Sequence, residues 1–184
     1  MLKTAYRPLT VSDYLELPEG PPFYQLIEGE IAMSPAPNRP HQHILRNITF
    51  LLLKHVEDRR LGEIYFAPCD VYLTDINVFQ PDLMFISNAR KSILSQRGIE
   101  GAPELIVEIL SPKTARLDKG LKRDVYARTG VEELWIVDPD AKEVLVYHLA
   151  DSAESPAGTY SGRQKFSSLV LPGLQISVPK VFQA

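Results

Sequence analysis

An acidic residue interrupts an aliphatic segment near the middle of the chain. Residues 104 to 111 read ELIVEILS, and Glu108 stands where a buried strand would otherwise be apolar. Burying an unpaired charge costs several kcal/mol, so this carboxylate needs a partner. A second acid, Asp82, opens the segment PDLMFIS, which has the same strand-like character.

Strand alternation places each acid on an apolar face. Alternate side chains of a strand share a face, so Glu108 is expected to lie with Ile106 and Leu110. Asp82 is expected to lie with Met84 and Ile86 in the same way. If the two strands are neighbours, the acids could meet, and close carboxylates repel unless a cation lies between them. A divalent ion such as Mg²⁺, which prefers hard oxygen ligands and keeps its waters, would account for both acids.

Structural explanations for the two acids remain open. Asp82 follows Pro81 and could simply mark the solvent-exposed start of its strand. Glu108 could form a buried ion pair with an arginine of a helix, since such pairs occur inside proteins.

The segment after Glu108 could supply an ammonium group. Its spacing predicts a helix from about Ala115 to Arg128, with Gly130 just past the end. The apolar stripe of this helix consists of Leu117, Leu121 and Val125. Lys122 would lie about 100° from the centre of that stripe, where its stem can pack while the ammonium reaches inward. Lys119 points further away, whereas Lys113, in the loop SPKT, is a rival to Lys122.

The composition is that of an ordinary globular domain. Of 184 residues, 45% are hydrophobic and 23% charged, and the net charge of −3 gives no support for binding nucleic acid by charge alone. A single cysteine, Cys69, excludes an intramolecular disulfide. The sequence has no signal peptide and no apolar run near the roughly 20 residues needed to cross a bilayer, so a cytoplasmic location is expected.

Helix and strand signals alternate along the chain without a linker. A short helix in LTVSDYLELPEG is expected to begin at Thr10 or Ser12, and a long helix runs from about His41 to Arg60 with Gly62 as its stop. Strand signals occur in FYQLIEGEIAMSP, EIYFAPCDVYL, PDLMFIS, ELIVEILS, ELWIVDP, EVLVYHL and TYSGRQKFSSLVLPGLQISV. This order predicts a single domain over residues 1–184 with a mixed α/β or α+β fold.

These motifs resemble a known family. A PD pair before a strand, then ELIVEILSPKT, then LDKGLKRDVYARTGVEELWIVDP, resembles the Uma-two family, which is described as restriction-endonuclease-like within the PD-(D/E)xK nuclease superfamily. The resemblance runs from LTVSDYLELPEG to LVLPGLQISV, and it is most specific between Glu104 and Pro139. It implies a restriction-endonuclease-like core of α-β-β-β-α-β type, with a mixed β-sheet flanked by helices.

The resemblance also implies roles for individual residues. The superfamily's aspartate falls on Asp82 and its second acid on Glu108. The superfamily places a lysine two residues after the second acid, where this chain has Leu110. The chain is therefore similar to the variant in which the following helix supplies the lysine, and Lys122, in DKGLK, matches that position better than Lys113 does.

Upstream, YQLIEGEIAMSP is similar to the family's Y-E-L-I-D-G-E opening. Glu30 matches the final acid, and Gln25 stands where the family usually has glutamate, a departure that bears on activity. His41 matches a histidine that the family often shows at the start of the long helix. Helix capping or packing is the structural alternative for His41.

The activity implied is a Mg²⁺-dependent endonuclease acting on DNA, with Mn²⁺ as a possible substitute. Asp82, Glu108 and the backbone carbonyl of Ile109 would hold the ion, and Lys122 would orient the attacking water or offset charge in the transition state. Cutting both strands needs two copies of the site, so a homodimer is expected.

Two other functions stay open. The first is a catalytically inert nuclease-fold module for DNA binding or assembly, which the departures at Leu110 and Gln25 favour. The second is an enzyme with another phosphate-containing or small-molecule substrate. Metal-dependent cleavage of plasmid DNA would separate these from a nuclease.

Overall fold

A mixed sheet flanked by helices forms the centre of the fold, as the sequence predicts. The computed structural model describes residues 7–34, 36–112 and 115–183. The strands are β1 (Tyr24–Ile27), β2 (Glu30–Met33), β3 (Gly62–Phe66), β4 (Val71–Thr74), β5 (Asn77–Phe79), β6 (Leu83–Ser87), β7 (Leu105–Ile109), β8 (Glu133–Asp138), β9 (Glu143–His148), β10 (Gly158–Ser161), β11 (Lys165–Ser167) and β12 (Gln175–Ser177). The helices are α1 (Val11–Tyr14), α2 (Arg39–Arg59), α3 (Ala115–Leu117), α4 (Arg123–Thr129) and α5 (Val178–Phe182), with a 3-10 helix at Asn88–Ile93 and a π-helical segment at Asp118–Lys122.

The strands form three sheets. The central sheet has the order β10-β9-β8-β7-β6-β3, a second sheet the order β2-β1-β5-β4, and β11 pairs with β12. Within the central sheet β7 and β8 are parallel, whereas the other neighbours are antiparallel. A parallel pair needs a crossover connection, and here the crossover contains the helical residues 115–129. The residues of this crossover, called the 115–129 helix below, are thereby carried across one face of the sheet.

Side chains of β6 and β7 alternate between two hydrophobic cores. One core contains Phe85, Leu105 and Val107, and it packs against α2 and α5. The other core contains Met84, Ile86, Ile106 and Leu110, together with Val125 and Tyr126 of the 115–129 helix. The predicted alternation is therefore confirmed, and it places Glu108 on the sheet face that the 115–129 helix covers.

Helix α2 begins earlier than the sequence suggested. The side chain of Asn38 accepts a hydrogen bond from the backbone N–H of His41 at 2.9 Å, and Pro40 fits the first turn because that turn leaves N–H groups unpaired. His41 is therefore inside the first turn rather than at the boundary. Although α2 has 21 residues, no helix in the three described ranges is long and apolar enough to cross a membrane.

The expected stop at Gly62 is wrong. The helix ends at Arg60, which adopts the left-handed conformation with φ 55°, and Gly62 is the first residue of β3. Gly62 instead allows β3 and β6 to approach closely. A Cβ atom at this position would lie 2.1 Å from the carbonyl oxygen of Ile86 and 2.8 Å from the Cα of Ser87.

We expect Gly62→Ala to lower the free energy of unfolding by about 3 kcal/mol, because a methyl group cannot fit between paired backbones without displacing one strand. Chemical denaturation measures the loss. The matched control is Gly120→Ala in the π-helical segment, where the added Cβ would have no described atom within 4 Å apart from its chain neighbours and the backbone of its own helix. The control is expected to leave stability unchanged or raise it by up to about 1 kcal/mol. Equal losses in both variants would contradict the steric explanation.

The 115–129 helix departs from the predicted α-helix in its middle. Residues Asp118–Lys122 form a π-helical turn, whose i→i+5 bonding widens the turn and changes which side chains face inward. Leu121, the expected centre of the apolar stripe, is 40% exposed, whereas Asp118 and Lys122 are 3% and 4% exposed. Gly130 ends the helix in the left-handed conformation, as predicted.

Candidate active site

The two acids singled out in the sequence lie across from each other on neighbouring strands. Strands β6 and β7 pair with Leu83 opposite Val107, so Asp82, which directly precedes β6, is placed opposite Glu108 when that register continues. Opposed residues of a sheet project to the same face. Asp82 retains only 16% side-chain exposure, so it does not sit at a freely exposed strand start.

Glu108 is buried and bonded to two side chains of the 115–129 helix. Its Oε1 atom accepts hydrogen bonds from Nζ of Lys122 at 3.0 Å and from the hydroxyl of Tyr126 at 2.6 Å. Both side chains of the ion pair are about 5% exposed or less. The structural alternative for Glu108 is a buried ion pair with a helix arginine. The buried ion pair is present, but its partner is Lys122.

Lys122 lies between two carboxylates. Besides Glu108 it pairs with Asp118, with 3.3 Å between Nζ and Oδ1, and Nζ lies 5.8 Å from the centre of the Phe79 ring. Burial alone lowers the pKa of Lys122, but the charges of Glu108 and Asp118 outweigh burial and hold that pKa above its ordinary value. The ammonium is therefore charged at neutral pH.

For Glu108, by contrast, the surroundings disfavour the charged form. Burial raises the pKa of Glu108, the ammonium of Lys122 opposes that rise, and the carboxylates of Asp118 and Asp82 add to it. Together these effects hold the pKa of Glu108 above its ordinary value. An added cation near Asp82 and Glu108 would favour the charged carboxylate form, because opposite charge stabilises it.

Asp82 is fixed by one backbone group and one histidine. The backbone N–H of Ile109 donates to Oδ2 of Asp82 at 2.7 Å, and Nε2 of His41 lies 3.1 Å from the carboxylate. Burial lowers the pKa of His41, but the hydrogen bond and the charge of Asp82 raise it above its ordinary value overall. Nδ1 of His41 is buried and has no hydrogen-bond partner among residues 7–34, 36–112 and 115–183. The first turn of α2 thus reaches the residue just before the start of β6.

Other residues named in the sequence lie apart from this cluster. Glu30 is exposed at the start of β2, opposite Ile27, and within the described ranges no hydrogen bond or ion pair joins it to Asp82 or Glu108. Gln25 is buried, and its carboxamide donates to Ser34 Oγ at 2.8 Å and accepts from the backbone N–H of Gln80 at 3.1 Å. Lys113 lies outside the described residues.

The donor set fits a hard divalent cation only in part. Carboxylate and carbonyl oxygens are the ligands that Mg²⁺ prefers, and Mg²⁺ is usually held by one or two carboxylates with waters and phosphate completing its shell. Among residues 7–34, 36–112 and 115–183, no group of three or more His, Cys, Asp or Glu side chains is arranged to hold a metal ion. The opposed pair Asp82 and Glu108 therefore fits a site with two carboxylate ligands, and no larger cage.

Two residues of the cluster escaped the sequence prediction. Asp118 and Tyr126 both touch the buried charges, through Lys122 and Glu108 respectively. Their spacing was a usable signal, because Asp118, Lys122 and Tyr126 are each four residues apart and so share one helix face. An aspartate four residues before an inward lysine indicates an ion pair on that face.

We expect Tyr126→Phe to lower the free energy of unfolding by about 1–2 kcal/mol, because the hydroxyl that donates to Glu108 is lost inside the protein. The ring itself keeps its edge-on contact with Phe79, whose centre lies 5.5 Å away. Thermal unfolding of Tyr160→Phe provides the control, since that ring lies at the edge of the sheet against Phe166. A Tyr126→Phe variant as stable as the control would contradict the inferred strength of this bond.

Comparison with known proteins identifies relatives of this architecture. A family model described as "Putative restriction endonuclease", Uma2, matches residues 11–179. An uncharacterised protein of Synechocystis sp., sll1609, is 28% identical over 120 residues, which are 64% of this chain and 67% of that protein. A crystal structure from Anabaena variabilis, described as a putative nuclease belonging to DUF820, superposes with a TM-score of 0.81 at 22% identity and covers 95% of this chain and 98% of its own. The fold is thus shared with that structure, and because the family match spans nearly the whole sequence, the chain belongs to the Uma2 family.

Proposed function

We propose that this protein is a metal-dependent DNA endonuclease that hydrolyses phosphodiester bonds. The observation that carries the proposal is the meeting of Glu108, placed opposite Asp82, with the ammonium of Lys122 at 3.0 Å on an otherwise apolar sheet face. A sheet face does not need three charged groups for packing, since apolar residues of similar size are often as stable or more stable there. Perturbed titratable groups gathered in this way are typical of functional sites.

Asp82, Glu108 and the backbone carbonyl of Ile109 would hold the cation, Mg²⁺ or Mn²⁺. The two donors to Glu108 found among the described residues both use Oε1, so Oε2 is the oxygen that would serve as a ligand. Asp82 is oriented by the Ile109 N–H and by His41, which fix the carboxylate in place before any ligand arrives. When bound, a divalent cation supplies charge stabilisation for the phosphate and lowers the pKa of the attacking water.

Lys122 would orient that water or offset negative charge in the transition state. Asp118 and Glu108 hold the ammonium from two sides, so it is charged and positioned before substrate binds. Preorganised charge costs no reorganisation at the moment of reaction, and removing one preorganised donor typically costs about 10²–10³ in rate.

The substrate class is supported by the relatives. The family description names a restriction endonuclease and the Anabaena structure is described as a nuclease, and both descriptions favour nucleic acid as substrate. We propose DNA, and we propose a homodimer, because cleavage of both strands needs two sites. With a net charge of −3, binding would depend on the cation and on local contacts rather than on overall charge.

The test is cleavage of supercoiled plasmid DNA by the purified protein. We expect nicked and linear products with Mg²⁺ or Mn²⁺, none with EDTA, and none with Glu108→Gln under any of these conditions. Cleavage that persists in EDTA or in Glu108→Gln would overturn the proposal, because it would show either another chemistry or a contaminating nuclease.

An inert nuclease-fold module is the second candidate function. It is favoured by the two hydrogen bonds that Glu108 already accepts. It is also favoured by Gln25, because a neutral amide that is engaged in hydrogen bonds replaces the glutamate usual in the family. DNA binding without metal and without cleavage by the wild-type protein would establish this second function in place of the first.

A further inference from the structure

A cavity of about 640 Å³ opens between the region of α1, the start of β4 and the loop that follows the 3-10 helix. Its lining includes Tyr14, Phe23, Asp70, Tyr72, Gln80 and Arg97. We call this cavity the Asp70 pocket. Its volume is within the roughly 300–1,000 Å³ of typical ligand sites, and its lining combines aromatic rings with a few polar groups, as such sites do. None of these residues belongs to the candidate active site.

Asp70 is the centre of a hydrogen-bond network in the pocket. It accepts bonds from the hydroxyl of Tyr14 at 3.1 Å, from the hydroxyl of Tyr72 at 3.2 Å and from the carboxamide of Gln80 at 2.8 Å. Burial and the charge of Asp70 raise the pKa of both tyrosines, so their hydroxyls stay protonated and donate. A carboxylate has about four acceptor sites, so three donors leave capacity for one more, which suits an exocyclic amino group.

The rim of the pocket presents a stacked cation and an exposed aromatic ring. The guanidinium of Arg97 lies 4.5 Å from the centre of the Tyr72 ring, and its partner Glu100 is 43% exposed. Such surface ion pairs are worth little, so a phosphate could replace Glu100 without much loss. Phe23 is 38% exposed at the same rim. Aromatic and guanidinium planes of this kind are the surfaces on which unpaired bases stack.

The pocket is connected directly to Asp82. Gln80 lies two residues before Asp82, so their Cα atoms are at most about 7 Å apart. On the other side, the backbone N–H of Ala67 donates to the carbonyl oxygen of Asp82 at 3.1 Å, and the following residues Pro68 and Cys69 line the pocket. The pocket lining and Asp82 are therefore neighbours in the fold, within about the length of one or two nucleotides of each other.

We propose that the Asp70 pocket binds one unpaired nucleobase of the strand whose phosphate occupies the candidate active site. This inference rests on the proposed function and adds to it a preference for single-stranded or locally opened DNA. The base stacks between Phe23 and the Arg97–Tyr72 pair, Asp70 accepts from its amino group, and Arg97 contacts the neighbouring phosphate. Carboxylates pair with the amino group of cytosine in this manner, so cytosine is favoured over thymine.

The test uses a short single-stranded oligonucleotide that carries one 2-aminopurine, whose fluorescence falls when the base stacks on an aromatic ring. Titration with the full chain in EDTA prevents cleavage, so the readout is independent of the nuclease reaction. We expect Phe23→Ala and Arg97→Ala each to weaken binding about tenfold. The matched controls Phe50→Ala and Arg163→Ala, which change exposed residues elsewhere, are expected to bind as the wild type does. We also expect dCMP to compete better than dTMP.

Several results would overturn the proposal: an absence of quenching by the wild type, equal binding by Phe23→Ala, Arg97→Ala and the wild type, equal losses in variants and controls, or equal competition by the two nucleotides. The two proposals fail separately. If plasmid is cut but Phe23→Ala and Arg97→Ala bind normally, only the pocket assignment is lost. If plasmid is not cut and the expected binding pattern holds, the nuclease reaction is lost while base binding stands.

Discussion

Lys122→Ala is expected to reduce metal-dependent cleavage by about 10²–10³, because it removes the ammonium that pairs with Glu108 and Asp118. The same change leaves two carboxylates buried without their cation, and losing one partner of a buried pair costs about 3–5 kcal/mol. Cleavage rates and denaturation curves are therefore measured together. Lys122→Arg retains the charge, so it distinguishes loss of positioning from loss of folding.

The control for this prediction is on the same helix. Lys119 pairs with Asp138 at 3.2 Å but is 42% exposed, so Lys119→Ala is expected to change neither rate nor stability appreciably. Lys113→Ala addresses the rival lysine and is expected to leave cleavage intact. A loss of activity in Lys113→Ala with normal activity in Lys122→Ala would reverse the assignment.

Asp82→Asn is expected to abolish the stabilisation of the folded protein by Mg²⁺. A ligand at 100 times its Kd that binds only the folded state adds about 2.7 kcal/mol, so the wild-type melting temperature should rise with Mg²⁺. Asparagine can still accept the hydrogen bond of the Ile109 N–H, so the variant should fold without metal. Its missing charge, however, removes one of two carboxylate ligands. Thermal unfolding with and without Mg²⁺ measures the difference, and cleavage should be lost in parallel.

Asp58→Asn provides the matched control, because Asp58 is a half-exposed acid of α2 paired with Lys54. Its response to Mg²⁺ should equal that of the wild type. If Asp82→Asn and the wild type gain the same stability from Mg²⁺, the cation binds elsewhere and the proposed ligands are wrong.

Much of the site could be predicted from local patterns. Period-two alternation placed Glu108 on the correct sheet face, because a strand's geometry leaves its side chains only two directions. A helical wheel indicated that Lys122 could reach inward, since stems of lysine adapt to a flank position. The mixed sheet flanked by helices also followed from the order of the segments and from the family resemblance.

Most of the parts that escaped prediction depend on contacts distant in sequence. The π-helical turn, which exposes Leu121, has no mark in the sequence, although the inward position of Asp118 could have been read from its spacing to Lys122. Gly62 has the spacing of a helix stop, yet its role is set by the backbone of Ile86, which lies in a different strand. The Asp70 pocket was likewise hidden, because Tyr14 and Asp70 are 56 residues apart in the chain.

The crossover between β7 and β8 has a consequence for the order of folding. Asp82, Glu108 and Lys122 all belong to one continuous stretch of chain, residues 82–122, and the entropy lost in closing a loop grows only slowly with its length. His41 comes from a helix that must dock across the opposite side of the sheet. The charged centre is therefore expected to assemble as a local nucleus, and the arrival of α2 would lock the carboxylate of Asp82 in its final orientation.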